Sequence, residues 1–550
     1  MRGYIWLEGV DFAAHLDDTN DLSTRRGASL AYLHAVDWAE EWLSARGSNP
    51  DSIVKGASIG AWRVDCQNGA TPENLADDLL KALRRAGLNA EEVWNESKAA
   101  YDACNKGSDC AWPSPAPFAH LSFVCGWAEG EDDTAPALVR ARALAQQFRR
   151  FTLRPAGKAA REYCGIDRLR PAQVNGYLPG ASGMLVSASV LARRAYGRHA
   201  RQGFYAGEAG EEWGRLFFTN DFEELRSAPP EDVPLSASSK IAVFYADGNG
   251  FTALAGKSAQ QRQEFSRHLR QCQQQLLRDL LKAFDQGGAP WFQLDTTGKE
   301  EDAASLRLRL ETLLWGGDEL MFVMPSWLGL WFARRFFEWV RGWQTPDGKP
   351  LTFGAGLLIC NYKTPIRVAQ KIAKNELAEA AKDWGKRQQG GPCNALSVFV
   401  MESMEPLEQG LTQERRHMLD LHDELEDALV IPADKLPGAL KKALNLKEKF
   451  PRSQLYRLLH KARAEKKFDA RWSDEKTRKL LEDWLNKAGK DSGLDHKDFR
   501  LVDYKACELG RRPVLNLYWQ AELWDYLPPE DILSLRDDSA SEQEEDHAQG

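Results

Sequence analysis

The stretch KIAVFYADGNGFTAL, Lys240–Leu254, decides the reading of the chain: an apolar run stops at Asp247, and Gly248 and Gly250 follow at once. Burying a carboxylate costs free energy, so an acid at the end of a core strand needs a partner or a task. The same arrangement returns in LETLLWGGDELMFVMP, Leu310–Pro325, where Asp318 and Glu319 sit in a tight turn between two apolar runs. If the two turns meet, they bring acids together at one sheet edge.

Working outward, a strand ending at Asp247 leads into SAQQRQEFSRHLRQCQQQLLRDLLKAFD, which has the length and propensity of one long helix. The hairpin at Gly316-Gly317, the helix WLGLWFARRFFEWVRGW and the strand LTFGAGLLICN complete a βαββαβ order. One more helix, PIRVAQKIAKNELAEAAKDWGK, and one more strand, ALSVFVME, follow. The N-terminal part repeats the order. YIWLEGVDF reads as a strand, RRGASLAYLHAVDWAEEWL as an amphipathic helix and SIVKGASIGAWRVD as a hairpin; TPENLADDLLKALRRAG is a helix capped by Thr71, and HLSFVCGWAEG a strand. The expected fold class is therefore α+β, with two ferredoxin-like (βαββαβ) units over residues 1–154 and 237–405. Residues 155–236, rich in Gly, Arg and Pro, read as an irregular connecting segment, 406–535 as a helical C-terminal unit, and the acidic end 536–550 as disordered.

The bulk composition sets limits. At 550 residues the chain is too long for a single core. Hydrophobic residues make up 43% and charged residues 28%, as in an ordinary globular protein. A net charge of −8 argues against a surface coated in basic residues for unspecific nucleic-acid binding and leaves room for a local basic groove. Nine cysteines occur without a CxxC pair, and Cys104 and Cys110 lack a matching second half, which points to reduced thiols rather than a zinc site. No signal peptide is visible, and LMFVMPSWLGLWFARRFFEWV is interrupted by Pro325, Arg334 and Arg335, so a cytoplasmic protein without a membrane partner is expected.

Two carboxylates at one sheet edge repel each other unless a cation lies between them, and hard cations take oxygen ligands together with substrate phosphates. Gly248 and Gly250 remove side chains where a triphosphate would approach the backbone. Lys382 and Lys386, four apart on one helix, can neutralise its outer phosphates. Taken singly, Asp247-Gly248 and Gly316-Gly317 are ordinary turn dipeptides and the lysines a solvated helix face. Together, in this order on a βαββαβ frame, they favour a two-metal phosphoryl-transfer site.

These residues carry a resemblance. WGGDEL on a hairpin, YADGNGF on the preceding strand and AAK on the late helix resemble the palm domain shared by GGDEF cyclases and the large subunit of type III CRISPR effector complexes, called Csm or Cmr. The doubled layout favours the CRISPR subunit. STRRGASLAYL, Ser23–Leu33, is similar to the Arg-Gly-Gly-Ser helix start of that subunit's first palm, YCGIDRLRPA, Tyr163–Ala172, to the segment between its palms, and IPADKLPGALKKAL onward to its helical C-terminal domain. The resemblance implies that Asp247, Asp318 and Glu319 are catalytic and hold two Mg²⁺ or Mn²⁺ ions. It further implies that Gly248, Asn249, Gly250, Phe251, Gly316, Gly317, Lys382 and Lys386 bind nucleotide. The implied activity is the joining of ATP by 3′–5′ bonds into cyclic oligoadenylates that switch on antiviral effectors. Implied partners are guide and target RNA, further effector subunits, or a second copy of the chain.

The sequence departs from the family at several points. Asn249 stands where many relatives carry a second carboxylate, and Glu319 where the CRISPR subunit commonly has aspartate. The first unit's turn, Gly56-Ala57-Ser58, has no acid, so that unit reads as catalytically empty, with Glu8 and Asp11 structural. Only Cys164 remains of a zinc ribbon, no N-terminal HD nuclease domain is found, and His422-Asp423 lacks partner histidines nearby. A non-catalytic scaffold subunit is the alternative reading. A cyclase making a guanine dinucleotide ranks last, because FTALAGKSAQQ offers no guanine-reading group.

Overall fold

The computed structural model of the chain describes residues 2–84, 118–147, 162–296, 306–402, 430–464 and 512–534, with short breaks inside these spans, and also position 95 and scattered positions between 410 and 494. The acidic end from 536 on, His422-Asp423, Cys104 and Cys110 lie outside the described residues. The protein is mixed α/β, with several sheets covered by helices.

The N-terminal sheet is built from β1 (Arg2–Val10), β2 (Asp51–Lys55), β3 (Ile59–Asp65) and β4 (Ser122–Glu129), in the order β2-β3-β1-β4 with antiparallel neighbours. Between the strands lie α1 (Leu22–Ala45) and α2 (Pro72–Arg84), the latter capped by Thr71, whose hydroxyl accepts from the Asn74 amide at 3.2 Å. Alternation along β1 sends Ile5 and Leu7 into the main core, and Tyr4 and Trp6 to the other face against Leu138, Ala141 and Ala145 of α3 (Ala135–Gln147).

The connecting segment is less irregular than its composition suggests. It contains a 22-residue helix, α4 (Ala188–Ala209), started by Ser187, whose side chain accepts from the Val190 amide. Helices α1 and α4 cross at Gly27 and Gly197. A Cβ on Gly27 would lie 1.6 Å from the Arg193 carbonyl oxygen, and one on Gly197 would lie 2.5 Å from the Gly27 amide nitrogen. The glycines are therefore contact points between two helix backbones. Cys164 is a free thiol packed among Val186, Val190 and Leu191.

The second sheet comprises β5 (Lys240–Gly248), β6 (Glu311–Gly316), β7 (Glu319–Pro325), β8 (Phe353–Asn361), β9 (Ala395–Val400) and β10 (Val430–Pro432). Its order, β6-β7-β5-β8-β9-β10, repeats the order of the first sheet over its first four strands. Strand β9 adds in parallel, and β10 antiparallel at the edge from a stretch the sequence reading assigns to the helical C-terminal unit. The central strand β5 is buried on both faces. Ala242, Phe244 and Ala246 face α5 (Ala259–Gly287) and α6 (Gly329–Trp339), while Ile241, Val243 and Tyr245 face the helical segment 366–386. The last part is largely helical where described, with α9 (Leu436–Lys449), α10 (Arg452–Ala464) and α11 (Arg512–Leu523). Lys240 at the start of β5 donates to Glu402 at 2.5 Å and to the Tyr526 hydroxyl at 2.6 Å, tying this part to the sheet.

A buried ionic junction links the parts. Glu311, at the start of β6, accepts two bonds of 2.6 Å from Arg26 of α1 and is paired with Arg201 of α4 at 2.9 Å. All three side chains are under 10% exposed. Burial and the neighbouring Arg26 charge pull Arg201 down to about 10, in spite of Glu311.

No described helix is long and apolar enough to cross a membrane.

Candidate functional site

The acids lie at one end of the second sheet because the register puts them there. Asp247 of β5 stands directly opposite Glu319 of β7 on one side and Gly354 of β8 on the other. Asp318 occupies the turn between β6 and β7, and its backbone carbonyl accepts from the Gly248 amide at 2.9 Å. The turn depends on Gly316 and Gly317, with φ of 125° and 66°, a region costly for side-chain-bearing residues. The space around a Cβ at Gly317 is open, as it is at Gly250.

Three contacts hold the turn from outside. A Cβ on Gly316 would lie 3.0 Å from the Cβ of Ala57, so the acid-free turn Gly56-Ala57-Ser58 of the first sheet abuts the acidic one. The Gly248 amide is the second. The third is Gln273, a side chain of α5 only 5% exposed, whose amide donates to the Gly317 carbonyl at 2.7 Å. That carbonyl belongs to the peptide joining Gly317 to Asp318. Gln273→Leu leaves it without a buried donor at a cost of about 1–3 kcal/mol. In a nucleotide-joining reaction turnover should fall while KM stays within about twofold, since the loss displaces the acid rather than the substrate. Steady-state kinetics check this, and a change in KM alone would remove Gln273 from the site.

Lysines reach the acids from the helical segment over β8. Gly354 and Gly356 make room: a Cβ on Gly354 would meet the Lys382 backbone at 2.6 Å, and one on Gly356 the Ala373 carbonyl at 2.3 Å. The segment begins as α7 (Ile366–Lys371), passes through a π-helical stretch, Ile372–Ala378, and ends as α8 (Glu379–Lys386). In a regular α-helix Lys374 and Lys382 would be about 80° out of phase, but one extra residue in the π turn brings them to within about 20°. Lys382 donates to Asp247 at 2.7 Å, and Lys374 to Glu319 at 2.5 Å.

Asp318 has no such partner: among the described residues no lysine or arginine forms an ion pair with it. Burial first, then Asp247, push its carboxyl above the usual carboxylate range. Burial, followed by Glu319, Asp247 and Asp318, likewise pushes the Tyr245 phenol up, so these carboxylates face one spot.

Other expected site residues sit elsewhere. Lys386 points away and pairs with Asp383 at 3.2 Å on the exposed side of α8. Phe251 is 3% exposed and packs on Phe265 and Phe353. Asn249 is buried, donating to the Thr352 hydroxyl at 2.9 Å and the Cys393 carbonyl at 3.3 Å, on the side of β8 and β9. In the first sheet, Glu8 accepts from the Trp6 indole at 3.3 Å. Sequence reasoning missed Lys374, Gln273, Gly354 and Gly356. Of these only the Gly-x-Gly spacing within a strand, which puts two gaps on one face, was a usable signal.

The acids fit a divalent cation in part. Asp247 and Asp318 converge with a deficit of positive charge at Asp318, whereas Glu319 is occupied by Lys374. Among the described residues no three acidic, histidine or cysteine groups form a ready-made cage, so a hard cation here would draw its remaining ligands from water and phosphate.

The family model described as Cas10/Cmr2, second palm domain, matches residues 240–390. This segment is similar to a Cas10/Cmr2 second palm domain. The palm thus contains the acids, the turn glycines and all three lysines. Among solved structures, Csm1 of T. onnurineus is 15% identical, with 94% of this chain and 70% of that chain covered and a TM-score of 0.44. A Csm1–Csm4 cassette in complex with pppApA is 14% identical, with 94% and 69% covered and a TM-score of 0.44. A type III-B Cmr-beta structure in its apo state is 9% identical, with 94% and 82% covered and a TM-score of 0.44. At such scores these likenesses carry no residue roles. No curated protein matches the chain.

Proposed function

We propose that the chain is a nucleotidyltransferase of a type III CRISPR-like antiviral defence system, joining ATP into cyclic oligoadenylates. The observation that carries this reading is the meeting of Asp247, Asp318 and Lys382 on a segment that matches a Cas10/Cmr2 second palm. The repeated strand order and the contact of Ala57 with Gly316 support reading the first sheet as a second, acid-free palm. Guide and target RNA, other effector subunits or a second copy of the chain are the partners this reading calls for.

The chemistry follows from the residues. Asp247 and Asp318 are the residues that would hold a Mg²⁺ or Mn²⁺ ion. Such an ion, when bound, supplies charge to the phosphate oxygens and lowers the pKa of the attacking 3′-hydroxyl. Lys382, released from Asp247, turns to the triphosphate as a point charge. The open space at Gly250 and Gly317 admits the phosphates close to the backbone, and the fixed turn keeps Asp318 in place, so little reorganisation remains for the reaction itself.

One observation favours a scaffold subunit instead: Lys382 and Lys374 already neutralise Asp247 and Glu319. The uncompensated Asp318 weighs against it, since a scaffold gains nothing from that charge. Mass spectrometry of the products from ATP with Mg²⁺ or Mn²⁺, beside an Asp247→Ala/Asp318→Ala control, decides between them. Oligoadenylates from the wild type alone are expected. Their absence even with guide RNA, target RNA and partner subunits present would leave the scaffold.

A further inference from the structure

Of the two ions that the sequence reading assigns to this palm, we infer that only one is held by the protein, and that the Lys374 ammonium stands in the place of the second. The inference rests on the nucleotidyltransferase reading and concerns how the same site is charged.

Two-metal sites place their ions about 3.5–4 Å apart and need enough carboxylate oxygens to hold both. Two features of this chain reduce the supply. Asn249, a neutral side chain two residues after Asp247, donates through its amide nitrogen to the Thr352 hydroxyl and the Cys393 carbonyl on the β8 and β9 side. Glu319, directly across from Asp247, is engaged at 2.5 Å by Lys374. Asp318 alone keeps an unpaired carboxylate and, with Asp247 beside it, leaves a donor set for one ion. Lys382 also touches an acid, yet the two lysines are not equivalent. Lys382 belongs to the nucleotide in this mechanism and has a triphosphate to move to. Lys374 lies within the π turn and donates to Glu319, with its ammonium over the Tyr245 ring, 5.4 Å from the centroid. A helix that departs from regular winding to place one ammonium against one carboxylate has built a fixed positive charge into the site. Such a charge needs no ion from solution and does not exchange with it.

The test is the stoichiometry of Mn²⁺ alone on the full-length chain, read from the electron paramagnetic resonance signal of free Mn²⁺ during titration. The wild type should bind one equivalent, Lys374→Met two, Lys374→Arg one, and Asp318→Asn none. Lys374 is 38% exposed, so its replacement leaves the core intact, and the thermal transition of each variant verifies this. Two equivalents on the wild type, or one on Lys374→Met, would overturn the role of Lys374 while leaving the site standing. No Mn²⁺ on the wild type would overturn the metal-dependent site, and with it the proposed function.

Discussion

Replacing Asp318 by Asn should reduce oligoadenylate formation by about a thousandfold or more, while the melting temperature stays at or above that of the wild type. The two halves of this result have one cause. The Asp318 carboxylate is half-buried, faces Asp247 and Glu319, and forms no ion pair with a described residue, so its charge is a burden on the folded protein. In the proposed site a cation would reverse that burden, and once bound it would contribute several kcal/mol of transition-state stabilisation, each 1.36 kcal/mol being a factor of ten. Asparagine keeps the shape and removes the charge. Product analysis and a thermal melt on the same preparation read both halves. Wild-type turnover would remove Asp318 from the chemistry, and a marked drop in melting temperature would make it a structural acid.

The largest effect on stability is expected at Glu311. Glu311→Ala leaves the guanidinium groups of Arg26 and Arg201 in the interior without their carboxylate, and breaking a buried ionic group in this way costs about 3–5 kcal/mol. Arg201 keeps its bonds to the Thr219 and Leu310 carbonyls at 2.7 and 3.1 Å, which hold it in place and thereby keep its charge next to that of Arg26. Because α1, α4 and β6 meet at this carboxylate, the loss should appear as separation of the parts before the second sheet melts. Chemical denaturation followed by amide exchange detects it as early exposure of α1 and α4. Exchanging all three charged residues for apolar ones of similar volume should recover most of the stability, as the desolvation cost disappears together with the attraction. A Glu311→Ala variant that melts like the wild type would show that the junction is dispensable.

Most of the architecture around the site was legible from local patterns. The apolar run to Asp247 and the hairpin at Gly316-Gly317 announced strand ends, and alternation along β1 and β5 sorts their side chains to opposite faces. What was hidden depends on contacts between elements distant in sequence. Residues 188–209 look irregular because glycines and arginines interrupt the helical period, yet Gly197 is there to meet Gly27, and Arg193 and Arg201 to meet Asp18 and Glu311. Helical spacing makes Lys386 a partner of Lys382, but the helix face that covers β8 carries Lys382 and Lys374 to the acids and leaves Lys386 on the exposed side with Asp383. Gln273 is one glutamine among many on a long helix until the turn appears next to it.

The π turn at Ile372–Ala378 also changes how this segment is to be aligned. It amounts to one residue inserted into an otherwise regular helix, so a relative lacking the insertion would align well at Lys382 and yet present a different face where Lys374 stands. Substitution tables miss such a difference, since both lysines can be retained in a chain where they no longer point the same way. A single-residue gap in this helix is thus the place to look for similar chains in which the lysine facing Glu319 is displaced.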